Sequence, residues 1–108
     1  MIKMKLEEYR VKREEIFALQ KYDKEDLELP IAMTSLTGEV GELANEIKKL
    51  YRDDGGLLTQ ERKDKLILEG GDIIWYLMFL FEDILHIPLE VLFGPNISKL
   101  RDKYGIEK

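Results

Sequence analysis

Gly38-Glu39-Val40-Gly41-Glu42 sets two carboxylates three residues apart in the middle of a helical apolar pattern. Leu29, Met33, Leu36, Val40, Leu43, Ile47, Leu50 and Tyr51 fall on one stripe when each residue is advanced by about 100°. Residues 30–51 therefore read as a helix, with Ser35, Glu39, Glu42 and Glu46 along the edge of its apolar face. About thirty residues on, Glu69-Gly70-Gly71-Asp72 repeats the arrangement inside a second pattern that starts at a Thr59 cap and reaches His86. Between the two lies the clearest turn in the chain, Asp53-Asp54-Gly55-Gly56. Helices joined so tightly fold back on each other. The two acid pairs, roughly equidistant from the turn, then arrive at the same height.

The flanking segments extend this hairpin into an all-α, antiparallel, four-helix bundle-like fold within one domain, residues 1–108. A first amphipathic helix is expected over residues 6–22, with Leu6, Tyr9, Ile16, Phe17 and Gln20 on one side. Residues 23–26 form a polar break with Asp26 as a candidate cap, and Pro30 suits the first turn of the next helix. Residues 73–81 are apolar almost all round, which predicts a central helix that also packs on another subunit of a homodimer or homotetramer. Ile87-Pro88-Leu89 marks a stop and restart, Gly94-Pro95 an interruption, and residues 96–104 a basic terminal helix ending at Gly105.

Composition narrows the function. The 108 residues are 44% apolar and 36% charged, as in a folded globular domain. A net charge of -5 speaks against a nucleic-acid partner, which calls for a basic surface. The absence of cysteine excludes disulfides, thiolate metal sites and thiol nucleophiles. The N-terminus lacks the apolar core of a signal peptide, and residues 73–85 are too short to span a bilayer and contain Glu82 and Asp83. No membrane partner and a cytoplasmic location are expected.

Residues three apart on a helix lie about 60° apart, so Glu39 and Glu42 project to one side, as do Glu69 and Asp72. A single such pair is an ordinary solvated face. Two level pairs across a hairpin cannot all stay ionised unless protons or a divalent cation compensate. All-oxygen ligation suits Mg2+, or Mn2+. Gly70 and Gly71, each costing on the order of 1 kcal/mol mid-helix relative to alanine, predict a close approach to a bare backbone. Lys49 falls on the acid side of its helix, Tyr76 one turn beyond Asp72, and Asn96, Lys99 and Lys103 on one polar, cationic face. Trp75 reads as core. Asp83-Ile84-Leu85-His86 has the spacing of half a di-iron site, but such sites need the motif on two helices, so His86 reads as a helix-terminal residue.

These residues resemble a known family. The run Ser35-Leu36-Thr37-Gly38-Glu39-Val40-Gly41-Glu42-Leu43-Ala44-Asn45-Glu46, then Glu69-Gly70-Gly71-Asp72-Ile73-Ile74-Trp75-Tyr76, resembles the MazG-like all-α nucleoside triphosphate pyrophosphohydrolases. The closing segment, residues 96–104, looks like the family's N-x-x-K-x-x-x-R-Y pattern, with Lys103 where arginine is usual. The resemblance implies a Mg2+-dependent enzyme that splits a nucleoside triphosphate into monophosphate and pyrophosphate, assembled as a dimer or dimer of dimers. It implies Glu39, Glu42, Glu69 and Asp72 as metal ligands, with Glu42 also polarising the water. Lys49, Asn96, Lys99 and Lys103 would hold phosphates, and Tyr76 would lie near the nucleotide. Restriction to dUTP, dCTP or phosphoribosyl-ATP and a non-catalytic assembly or nucleotide-sensing module are the alternatives.

Overall fold

The computed structural model describes residues 3–20 and 27–107, all of whose regular structure is helical. Helix α1 spans Leu6–Phe17, α2 Glu28–Arg52, α3 Gln60–Met78 and α4 Phe93–Lys103. A π-helical turn, Phe79–Ile84, continues α3, and a 3-10 turn, Leu89–Leu92, leads into α4. Helix α1 stops at Phe17, short of the expected residue 22, with residues 18–20 already non-helical; residues 21–22 of that expectation, the polar break and the Asp26 cap lie outside the described residues.

The α2–α3 hairpin is held by local chemistry at its turn. Gly55 and Gly56 take φ of 63° and 80°, the left-handed region that a side chain disfavours. The Gly56 N–H donates to Leu50 O at 3.0 Å, satisfying a carbonyl at the end of α2. Thr59 caps α3, its hydroxyl accepting the Arg62 N–H at 3.1 Å. Thr59→Ala should cost about 1 kcal/mol of stability, read as a lowered urea midpoint with unchanged slope. Arg62, buried, ties the turn to α2: its Nε donates to Asp54 at 2.7 Å and its Nη1 to Glu46.

The core sits where α1, α2 and the end of α3 meet. Ala32, Phe79 and Leu80 form its centre, flanked by Phe17, Ile31, Leu36, Tyr76, Phe81 and Ile84. Of the apolar stripe on α2, Leu36, Leu43 and Leu50 are half-buried, but Leu29, Met33, Val40, Ile47 and Tyr51 are exposed. Glu39 and Glu46 are half-buried among the former, so α2 presents its acids within the face that packs on α3, not beside it. The exposed remainder is apolar surface that the single chain does not cover. Its radius of gyration, 16.9 Å, exceeds the about 13 Å of a compact domain of this length.

Three expectations are corrected. The inner face of α1 is Leu6, Tyr9, Arg10, Arg13 and Phe17, while Ile16 is 52% exposed. Arg13 is buried because its planar guanidinium stacks on the rings of Phe17 and Trp75, at 5.3 and 4.7 Å from their centroids, and meets Asp83 at 2.7 Å. Gly94-Pro95 does not interrupt α4, which begins at Phe93; there the proline occupies the first turn, where an N–H has no helical partner anyway. The helix from Thr59 ends before His86, which follows the π-helical turn at φ 57° as its left-handed terminator. No described helix is long and apolar enough to cross a membrane.

Candidate metal centre

The hairpin register carries the acids together. One carboxylate oxygen from each of Glu39, Glu69 and Asp72 lies within 4.8 Å of the others. Glu39 and Glu69 are half-buried and Asp72 is exposed. Burial pushes the Glu39 carboxyl above the usual carboxylate range, helped by the charges of Asp72, Glu69 and Glu42. Glu69 is pushed up likewise, first by burial and then by Asp72 and Glu42, with Lys49 opposing. Glu42 is exposed and lies outside the converging trio, although both inner acids feel its charge.

The other acids of the hairpin show what is missing here. Glu46 is held below the carboxylate range, first by the Arg62 hydrogen bond and also by Lys49 at 3.4 Å. Asp54 meets Arg62 and Asp53 meets Arg52 at 2.8 Å. Among the described residues, Glu39, Glu69 and Asp72 have no such cation. Three hard oxygen donors that converge without a positive partner fit a small divalent cation.

The linkage signs differ for the two sets. Carboxyls raised by burial and like charge bind protons more readily folded than unfolded, so they oppose folding at neutral pH and that opposition fades as pH falls through their folded pKa. Glu46 and Glu82 are depressed, Glu82 mainly by Arg10, so their stabilisation is present above about 4.3 and is lost as pH falls through their lower folded pKa. Without divalent cation, the melting temperature should rise as pH falls from neutrality toward the carboxylate range, then drop in stronger acid. Calorimetry should show Glu39→Gln flattening the rise.

The remaining candidates are placed as follows. Lys49 sits on the acid side, bonded to Glu46 and felt by Glu69. Tyr76 is half-buried and packs on the core cluster, and Trp75 stacks on Arg13. Asn96 lines an apolar groove of about 490 Å³ with Ile74, Leu77 and Leu92. At about 100° per residue, Ile74 lies roughly 140–160° around α3 from Glu69 and Asp72, and Leu77 about 80° from Glu69 and about 140° from Asp72, so the groove that Asn96 lines opens on another face of α3 from the acids. Lys99 is exposed on α4, and the Lys103 ammonium lies 5.5 Å from the Tyr104 ring centroid. The glycines are also not where the close approach was expected. A Cβ built at Gly38, Gly41, Gly70 or Gly71 meets nothing within 4 Å.

Tyr9 was missed by the sequence reading as a neighbour of the site. It is half-buried on α1, and its phenol is pushed up first by burial, with the Arg13 charge opposing and the Asp72 charge adding. The available signal was the four-residue spacing of Tyr9, Arg13 and Phe17, which puts an arginine between two aromatics on one face.

Residues 30–104, most of the chain, match the family model of the MazG nucleotide pyrophosphohydrolase domain. The chain belongs to this family, whose all-α architecture it shares. It is also similar to the Gene 37 protein of Mycobacterium phage L5, 41% identical over 68 residues, which cover 63% of this chain and 59% of that protein. The chain thus spans about six-tenths of that relative's length. No solved structure matches.

Proposed function

We propose that the protein is a Mg2+-dependent nucleoside triphosphate pyrophosphohydrolase, releasing monophosphate and pyrophosphate. The observation that carries this is the convergence of Glu39, Glu69 and Asp72 without a cation, in a chain of this family. These three would hold the metal. Bound there, a divalent cation supplies charge neutralisation for phosphate oxygens and acidifies a water. Glu42, outside the trio and exposed, is the carboxylate free to accept the water's proton. The water oxygen bonds to the α or the β phosphorus, the P–O bond from that phosphorus to the α–β bridging oxygen breaks, and the other fragment leaves on the bridging oxygen, giving nucleoside monophosphate and pyrophosphate. Lys49, already on the acid side, offers its ammonium to a phosphate.

Asn96, Lys99 and Lys103 would serve as phosphate contacts of a site completed by a second copy. Two observations support a homodimer or homotetramer: the uncovered Met33, Val40 and Ile47 on α2, and the packing of the start of α4 against a face of α3 other than the one that carries the acids. Pyrophosphate release from a panel of ribo- and deoxyribonucleoside triphosphates, with and without Mg2+, tests the reading. Turnover that requires the ion supports it. Nucleotide binding without turnover would make the protein a sensing or assembly module instead.

A further inference from the structure

The α2–α3 hairpin carries two charged rungs. Glu46 on α2 meets Arg62 on α3, and the carboxylates of Glu39 and Glu69 converge with that of Asp72. Glu39 lies seven residues before Glu46 and Glu69 seven after Arg62, so in antiparallel helices the two rungs share one face, about 10 Å apart. One rung joins opposite charges and the other joins like charges. Lys49 feels both. Its ammonium meets Glu46 at 3.4 Å, and its charge opposes the upward push on the Glu69 carboxyl. Among the described residues it forms no ion pair with Glu39, Glu69 or Asp72.

The three side chains of the Arg62–Glu46–Lys49 chain differ in freedom. Arg62, its side chain 10% exposed, is held from two sides, its Nε by Asp54 at 2.7 Å and its Nη1 by Glu46. Glu46, 13% exposed, divides its carboxylate: Oε2 accepts from Arg62 and Oε1 from Lys49. Of the two bonds, the one from Arg62 does more to hold its carboxyl below the usual range. Lys49 is 37% exposed, and its contact is at the long end of hydrogen-bond distances. One end of the chain is therefore buried and fixed. The other is an ammonium on a flexible four-carbon stem, weakly held beside an acid trio with no cation of its own. Without that hold the trio would draw the ammonium in, where it would compete with a divalent ion.

We propose that Glu46, fixed by Arg62, is a positioning residue that parks the Lys49 ammonium beside the acid trio, out of the divalent ion's place and ready for a phosphate. Glu46 already shares its charge with Arg62, so an incoming phosphate can take Lys49 over. Glu46 and Arg62 touch neither the ion nor the substrate, and act through Lys49. The handover to phosphate rests on the proposed triphosphate reading, whereas the parking concerns only the chain and its ion.

Calorimetric Mg2+ titration without nucleotide, on a double-mutant cycle of Glu46→Gln and Lys49→Met, tests the parking. Glu46→Gln should weaken Mg2+ binding about ten-fold, because the released ammonium enters the trio. Lys49→Met alone should stay within about two-fold of wild type at physiological salt, where a partly exposed charge out of contact is screened. The double variant should bind Mg2+ like Lys49→Met, since no ammonium remains to be released. Mere loss of the Glu46 charge would act through space with or without Lys49, so additive effects overturn the proposal, as does unchanged Mg2+ binding in Glu46→Gln. Should Glu46→Gln fold poorly, Arg62→Lys decides. Its ammonium cannot hold Asp54 and Glu46 as a fork, so Glu46 turns to Lys49 and KM for a triphosphate should rise about five-fold with Mg2+ binding kept. An unmoved KM there overturns the parking and leaves the enzyme reading intact. If the wild type binds Mg2+ but hydrolyses no triphosphate, the enzyme reading falls, while a non-additive cycle still supports the parking.

Discussion

Asp72→Asn should reduce Mg2+-dependent pyrophosphate release by more than about 100-fold, because outer partners of metal ligands alone are worth 10–100-fold. Asparagine keeps the shape and removes the charge, so the loss reports ligation and not packing. Asp72 is exposed and its charge helps push up both Glu39 and Glu69. Removing it relieves repulsion, so the metal-free variant should melt no lower than the wild type. Activity and stability thus move apart, which a merely structural acid would not produce. Calorimetry should show weakened Mg2+ binding in Asp72→Asn and near-normal Mg2+ binding in Glu42→Gln, where turnover alone suffers. Full activity in Asp72→Asn contradicts the assignment.

Arg13→Ala should cost about 3 kcal/mol of stability, because breaking a buried ion pair by removing one partner leaves the other uncompensated. Arg13 is 3% exposed, pairs with Asp83 at 2.7 Å, donates to Trp75 O and stacks on two rings. Its loss unfastens α1 from the end of α3 at a single point. At fixed protein concentration the melting temperature should fall by more than about 10 °C. Arg13→Lys should not rescue it, since an ammonium cannot stack as a plane and donate in a fork at once. Asp83→Asn added to Arg13→Ala should recover part of the loss, and a change below about 1 kcal/mol in the single variant would contradict this role.

The parts of the fold that were legible in the sequence are those set by neighbours in the chain. The Gly55-Gly56 turn, the Thr59 cap and the level of the two acid pairs depend on residues close together, so their chemistry shows in the order of residues. Helix periodicity, in contrast, marks a residue as apolar-facing without saying what covers it. Hence α2 has the expected stripe, yet only Leu36, Leu43 and Leu50 of it are half-buried while Met33, Val40 and Ile47 stay exposed in the single chain.

Residue type misled in the opposite direction at α1. Arginine reads as a solvent-facing residue, and Arg13 became core only because Trp75, Phe17 and Asp83 surround it, contacts set mostly by distant parts of the chain. Tyr76 sat on the right stripe for the site, but that stripe also meets the core cluster. Within the acid set, the spacing of Glu39, Glu69 and Asp72 foretold their meeting. The exclusion of Glu42 from the trio depends on where its side chain points, which spacing does not encode.

Identification of the products from one triphosphate is the most direct measurement of the central claim. With Mg2+ and wild-type protein, anion-exchange separation should show nucleoside monophosphate and pyrophosphate in equal amounts, and Asp72→Asn should show neither above background. Nucleoside diphosphate with orthophosphate, or equal yields from wild type and Asp72→Asn, would contradict it.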